Sequence, residues 1–344
     1  MKSKRQRSKW LALFLGGLVA LTAPVSLYVV LTSSSVSADS DSKDAAGEGS
    51  ANPRAEYWRA VRHGVEGYSA VTGPEANVLI QDSGQTWREL RNGPVSNIGA
   101  WVMAAVLLAL GMLQIFKGTW KLDRRTGKTI QRWSVFDRFV HWGLALTFLA
   151  LALTGLALLF GRYVIMPLMG KEAFGALAAF SKPVHDYVSP FFIVFLLLGL
   201  AAWMKHNLPK AYDWEWLKKV GGYLTQEHAP AGFINAGEKV WYWFLILGGI
   251  AVVVSGLFML TPNFDWTRST MQVSSIVHII SGLGLISFSF VHMFMSTIGN
   301  EGTFQAMISG DVDERWAELH HDVWYDELMA ERGSAEAKPG STVG

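Results

Sequence analysis

Two histidines lie inside one uncharged stretch, residues 272–299, with the sequence QVSSIVHIISGLGLISFSFVHMFMSTIG. They are His278 and His292, and no Asp, Glu, Lys or Arg interrupts the stretch. Read as a helix turning about 100° and rising about 1.5 Å per residue, the 14-residue spacing brings both side chains to within about 40° of one face. It also separates them by about 21 Å, most of the thickness of a bilayer's hydrocarbon core. Neutral imidazole is the commonest side-chain metal ligand, and burying it in hydrocarbon is costly, so two in register ask for a chemical reason. Ser281, Gly282 and Gly284 between them leave room for a flat group against the backbone. The pattern suits a helix that gives one axial ligand to each of two stacked haems.

The composition supports a membrane setting. Half of the residues are hydrophobic, 17% are charged, and there are 15 tryptophans, as in a protein with aromatic interfacial belts. There is no cysteine. The chain therefore forms no disulfide, holds no thiolate-ligated iron–sulfur cluster and attaches no haem covalently. The net charge of +2 decides nothing, because its distribution matters more than its sum.

The elements that must carry the histidines follow from hydropathy. A basic start, MKSKRQRSK, leads into an apolar run, and Ser35-Val36-Ser37-Ala38 has the small residues of a signal-peptidase site. The run is either cleaved after Ala38 or kept as an anchor, and both place residue 39 outside the membrane. Residues 39–53 are polar and low in complexity, and 54–95 regain aromatic content. Five apolar segments are expected at 97–116, 138–160, 187–205, 240–260 and 273–298. Lys117, Lys121, Arg124, Arg125, Lys128 and Arg132 crowd one connection, and Lys205, Lys210, Lys218 and Lys219 another. The intervening connections are poor in positive charge, so the basic ones and the C-terminal tail face the cytoplasm. The chain divides into 1–38 signal peptide or anchor, 39–96 periplasmic segment, 97–118 extra transmembrane helix, 119–299 transmembrane core, 300–330 cytoplasmic cap and 331–344 disordered tail.

This topology places His141 near the cytoplasmic start of its helix and His185 near the outer start of the next. Four histidines then form two pairs at matched depth, His185 with His278 and His141 with His292. Six-coordinate b-type haem requires two neutral imidazoles facing each other from different helices. A lone histidine at a helix end is more simply an interfacial polar residue, and four at matched depths argue against that reading. His63, His206, His228, His320 and His321 lie outside the apolar spans and read as surface or interfacial residues. Asn235-x-x-Glu238 ahead of an apolar run reads as a helix capping box. A transporter with histidines in a proton path is a rival reading, disfavoured because there is no internal repeat and no buried acid–base chain.

The segments FDRFVHW (136–142), KPVHDYVSPFF (182–192), KHNLP (205–209), INAGEKVWYW (234–243), VHIISGLGLISFSFVHM (277–293) and GTFQAMISGDVDERWAELHHDVWYDE (302–327) together carry a resemblance. Over about 130–330 the chain resembles the cytochrome b (gamma) subunit of respiratory formate dehydrogenases. The segment NVLIQDSGQTWRELRNGP (77–94) and the helix after it resemble that subunit's longer form. The resemblance implies an all-α integral membrane fold: a four-helix transmembrane dihaem cytochrome b bundle, here with one extra N-terminal transmembrane helix. It implies two haem b groups, the outer on His185 and His278 and the inner on His141 and His292. It further implies a quinone site beside the inner haem at Asn235 and Gly237, with Glu238 standing where some relatives have Gln.

The implied role is the quinone-reducing electron-transfer subunit of a respiratory complex in the bacterial inner membrane. Its implied partners are an iron–sulfur beta subunit and a molybdenum- or tungsten-containing catalytic alpha subunit, on which formate is oxidised. No nucleic acid is involved. The related subunit of a hydrogenase or a sulfur-compound oxidoreductase is the alternative within the redox class.

Overall fold

The computed structural model describes residues 65–66, 78–80, 83–223 and 229–336. The expected signal, the polar linker, most of the exported segment, His63, His228 and residues 337–344 lie outside these. Two short antiparallel strands, β1 (Val65–Glu66) and β2 (Val78–Ile80), precede helix α1 (Ser83–Leu90). A turn over Arg91–Val95, carrying Pro94, joins α1 to α2 (Ser96–Lys117). The remaining long helices are α3 (Val135–Trp203), α5 (Ala236–Leu260) and α6 (Arg268–Phe294), with short α4 (Asp213–Lys219) between α3 and α5.

Among the described residues, four helical stretches are long and apolar enough to cross a membrane: Ser83–Lys117, Val135–Asn207, Ala236–Leu260 and Arg268–Gly299. The chain is an all-α, multi-pass membrane protein. Helix α3 is interrupted at Gly170, whose φ of 90° and ψ of 170° are open to glycine and strained for other residues. The two arms, 135–169 and 171–203, run antiparallel: Gly161 lies against Phe174, Thr154 meets His185 and Phe148 meets Phe192. The 161–183 connection expected from hydropathy is thus helical on both sides of a single break. Its low charge count marked it as a non-cytoplasmic loop, but Ala, Leu and Met continue the helix through it.

Two compact units emerge, each holding one histidine pair. The first comprises residues up to Trp101, Leu146–Val194 and Ile250–Leu283. Within it Gly99 packs directly on Leu283, and the loop between α5 and α6 is closed by Phe258 edge-on to Trp266 at 4.7 Å. The second comprises Val102–Ala145, Phe195–Gly249 and the residues from Gly284 onward. Here β3 (Thr129–Gln131) pairs antiparallel with β4 (Asp311–Asp313), followed by α8 (Glu314–His320) and α9 (Asp322–Glu336), after the single turn α7 (Gln305–Ile308). Helix α9 continues to Glu336, so residues 331–336 are helical where a disordered tail was expected.

This second unit has its own aqueous-side core of Ile130, Trp133, Ile234, Ala306, Val312, Trp316 and Ala317. His321 belongs to it: the side chain is 1% exposed and its Nδ1 lies 2.6 Å from the Gly232 carbonyl. His320 is enclosed by Trp120 and Trp316, at 5.2 and 5.4 Å between ring centres. The surface reading of these two histidines is therefore corrected. Its physical reason is that short polar segments, 118–134 and 300–325, supply enough aromatic rings to build a small core outside the membrane spans.

Burial, reinforced by the nearby Arg132 guanidinium, lowers His320 from 6.5 to about 4, and His321 well below its ordinary value. A histidine kept neutral by the fold contributes stability that is complete above its unfolded value and is lost as the pH falls towards the folded one. The cap is expected to be stable above pH 6.5 and to loosen progressively between 6.5 and about 4. Limited proteolysis across this range, at fixed ionic strength, checks it; unchanged cleavage down to pH 4.5 would contradict it.

Candidate functional site: two histidine pairs

The first pair is held by two copies of one local device. On the first arm of α3, the Thr154 hydroxyl donates to the Ala150 carbonyl at 2.7 Å and lies 2.9 Å from His185 Nδ1, on the opposite arm. On α5, the Ser255 hydroxyl donates to the Ala251 carbonyl at 2.6 Å and lies 3.3 Å from His278 Nδ1, on α6. The same Nδ1 lies 2.9 Å from the Val252 carbonyl. A carbonyl can only accept, so His278 carries its proton on Nδ1 and keeps a lone pair on Nε2. The Thr154 hydroxyl has spent its proton on Ala150 and likewise accepts from His185.

Each hydroxyl residue is followed by a glycine facing the same ring. A Cβ on Gly155 would come within 3.3 Å of His185 Cε1, and one on Gly256 within 3.2 Å of His278 Cε1. The two rings stand 6.1 Å apart, centre to centre, at 67°.

The second pair is His141 on α3 and His292 on α6, with ring centres 6.2 Å apart at 54°. A capping box starts α3: Ser134 accepts from the Asp137 amide and Asp137 accepts from the Ser134 amide, one turn before His141. Trp203 donates to Asp137 at 2.9 Å, and Trp142 donates to the Met307 carbonyl at 3.0 Å, which fixes this end of the helix. His292 stacks on Trp241 at 5.2 Å and 17°. His141 Nδ1 is buried and has no hydrogen-bond partner among the described residues.

Two imidazoles ligating one metal from opposite sides, each nitrogen about 2 Å from the metal and roughly 1 Å from its ring centre, put the ring centres about 6 Å apart. Both pairs have this spacing, and the donor set of two neutral imidazoles suits haem iron. The residues present fit a b-type haem at each pair.

The Asn235 loop belongs to the second unit. Asn235 Oδ1 accepts from the Glu238 amide at 2.9 Å, and Glu238 Oε2 accepts from the Asn235 amide at 2.9 Å. This is the capping box expected at the start of α5. Arg132, its side chain 2% exposed, donates to both Glu238 carboxylate oxygens at 3.1 Å and to the Phe233 carbonyl at 2.9 Å. Asp322 accepts from the Ala231 amide at 2.8 Å, so α9 also grips the loop. Lys239, one turn into α5, forms a buried ion pair with Asp213 at 2.8 Å. Gly237 has a packing reason of its own, since a Cβ there would meet Trp216 Cη2 at 2.6 Å. Gly237→Ala is expected to push Trp216 aside and to cost about 1–3 kcal/mol by overpacking, read as a lower Tm.

Thr154, Ser255 and their glycines escaped sequence reading. The signal that could have found them is the repeated dipeptide in Leu153-Thr154-Gly155-Leu156 and Val254-Ser255-Gly256-Leu257. His206 joins neither pair; its ring lies 5.3 Å from Phe233.

Paired histidines on facing membrane helices define the class, a membrane-embedded b-type cytochrome. The chain belongs to the prokaryotic cytochrome b561 family, whose model matches residues 132–310 and so includes all four histidines. It is 28% identical over 218 residues to the cytochrome b556(Fdn) subunit of the nitrate-inducible formate dehydrogenase of Escherichia coli K12, covering 62% of this chain and 98% of that protein. The cytochrome b556 subunit of the Haemophilus influenzae formate dehydrogenase is 29% identical over 196 residues, covering 55% and 79%. The E. coli K12 cytochrome b556(fdo) subunit is 28% identical over 205 residues, covering 58% and 93%.

Proposed function

We propose that this chain is the membrane cytochrome b subunit of a formate dehydrogenase complex and passes electrons across a bacterial inner membrane to quinone. The observation that carries the reading is the presence of two histidine pairs of the same ring spacing, 6.1 and 6.2 Å, with one member of each on α6. His185 and His278 would hold an outer haem b, and His141 and His292 an inner one. Bound there, haem supplies reversible one-electron transfer. In this reading residues 39–96 lie in the periplasm and the C-terminus in the cytoplasm, which the distribution of Lys and Arg supports.

The chain has no cysteine, so its electrons come from a partner, an iron–sulfur beta subunit on the periplasmic side. Formate is oxidised on a molybdenum- or tungsten-containing alpha subunit. The names of the relatives and the segments quoted above support this choice over the corresponding subunit of a hydrogenase or sulfur-compound oxidoreductase. Purification of the intact complex tests it: a molybdenum- or tungsten-containing subunit is expected, and a nickel–iron subunit would reject it.

Asn235 serves both as the α5 cap and as a quinone contact. The cap commits Oδ1 and thereby sets the orientation of the amide, which leaves Nδ2–H to donate to a quinone carbonyl. Asn235→Asp keeps an N-cap acceptor and removes the donor. It is expected to leave haem content and Tm unchanged and to raise the KM for quinone about tenfold. An unchanged KM would remove Asn235 from the quinone site. Asn235→Ala should in addition lower stability by about 1 kcal/mol through loss of the cap.

A further inference from the structure

The two histidine pairs differ in what holds their Nδ1–H groups. At the first pair both rings are engaged. His185 Nδ1 meets Thr154 Oγ1 at 2.9 Å. His278 Nδ1 meets the Val252 carbonyl at 2.9 Å and Ser255 Oγ at 3.3 Å. The geometry is repeated: a hydroxyl residue, the carbonyl three residues before it, and a hydroxyl proton donated to the carbonyl four residues before it. At the second pair His141 Nδ1 is buried without a partner among the described residues, and the flat face of His292 rests on Trp241.

A hydrogen bond from Nδ1–H to a good acceptor makes the imidazole a stronger electron donor through Nε2. Stronger donation favours the oxidised iron, so it lowers the reduction potential of a ligated haem. The hydroxyls are good acceptors for an additional reason. Each donates its own proton onward to a backbone carbonyl, and hydrogen bonds in such a chain strengthen one another in a low-dielectric interior. In hydrocarbon no water competes for the Nδ1–H.

We propose that Thr154 and Ser255 are positioning residues that act through His185 and His278 to hold the outer haem at a lower potential than the inner one. The inference rests on the two-haem reading given above and deepens it. It supplies a built-in direction: electrons arriving at the outer pair move downhill to the inner pair. It also explains why the two hydroxyl–glycine dipeptides face only the first pair. The glycine lets the ring approach the helix, and the hydroxyl beside it accepts a hydrogen bond from the ring's Nδ1–H, shared at His278 with the Val252 carbonyl.

The test is an optical redox titration of the purified full chain and of Thr154→Val/Ser255→Ala. Valine is close to isosteric with threonine, and haem per chain is measured in every sample. His141→Met marks the inner component independently by raising its potential, since a His/Met-ligated haem sits higher. The double variant is expected to retain its haem. One component, the lower in the unaltered protein and not the one moved by His141→Met, should shift upward. The reduced-to-oxidised ratio at fixed ambient potential should rise about tenfold, equivalent to about 59 mV for a one-electron couple. Thr154→Ser/Ser255→Thr keeps both hydroxyls and is expected to restore the original potential.

Two unshifted components with haem retained would overturn the proposal, as would a shift of the component marked by His141→Met. Absence of haem from the unaltered, folded chain would instead overturn the two-haem reading itself.

Discussion

His292→Ala is expected to lower haem content from about two per chain to about one and to abolish reduction of the remaining haem by a quinol analogue. The chain has no cysteine, so no covalent bond would retain the haem, which would depend on the two facing imidazoles, 6.2 Å apart between ring centres. Removing a group that merely orients a metal ligand typically costs about 10–100-fold in affinity, and removing the ligand itself costs more. His292 also stacks on Trp241, close to the start of α5, so its loss opens the inner site next to the Asn235 loop. His185 and His278 belong to a separate compact unit, which is why the outer haem should persist. Haem quantification and quinol-driven reduction of the variant check both parts. Two haems per chain with normal reduction would remove His292 from the ligand set.

The second large effect is expected at Arg132→Ala. Its guanidinium lies 4.9 Å from the Trp316 ring centre, 5.5 Å from Trp133 and 5.6 Å from Phe233. It also bonds both Glu238 oxygens and the Phe233 carbonyl. Breaking a buried ion pair by removing one partner costs about 3–5 kcal/mol. The Glu238 side chain is 35% exposed and can recover some hydration, so the lower end, about 3 kcal/mol, is expected. Because Glu238 is also the partner of Asn235 in the α5 cap, the loss should reach the proposed quinone contact at Asn235. The expected result is faster proteolysis of residues 300–336 together with a raised KM for quinone. Arg132→Lys keeps the charge without the planar fork and is expected to recover only part of the stability. Unchanged proteolysis and KM in the alanine variant would contradict the link between cap and site.

The histidine pairing was legible in the sequence because it followed from two robust signals. Hydropathy located the helices, and the Lys/Arg imbalance gave an expected orientation, from which the pairing was inferred without any tertiary information. The capping boxes at Ser134–Asp137 and Asn235–Glu238 are local patterns of the kind a sequence displays directly, although only the second was read there. The helical course of 161–183 was not legible, since a single glycine at φ 90° can reverse a chain that composition alone assigns to a loop. Burial of His320 and His321 was equally hidden. It depends on Trp120, Arg132 and Gly232, all distant in sequence, meeting the C-terminal segment. The hydroxyls of Thr154 and Ser255 were missed for a different reason. Within an apolar helix such residues usually bond back to their own backbone, and only the facing ring gives them a second role.

The most direct measurement is haem per polypeptide in the purified full chain, together with its dithionite-reduced minus oxidised spectrum. Two pairs of neutral imidazoles at matched ring spacing predict about two b-type haems, both low-spin and six-coordinate. A folded preparation that carries no haem would contradict the account, because the histidine pairs would then be structural.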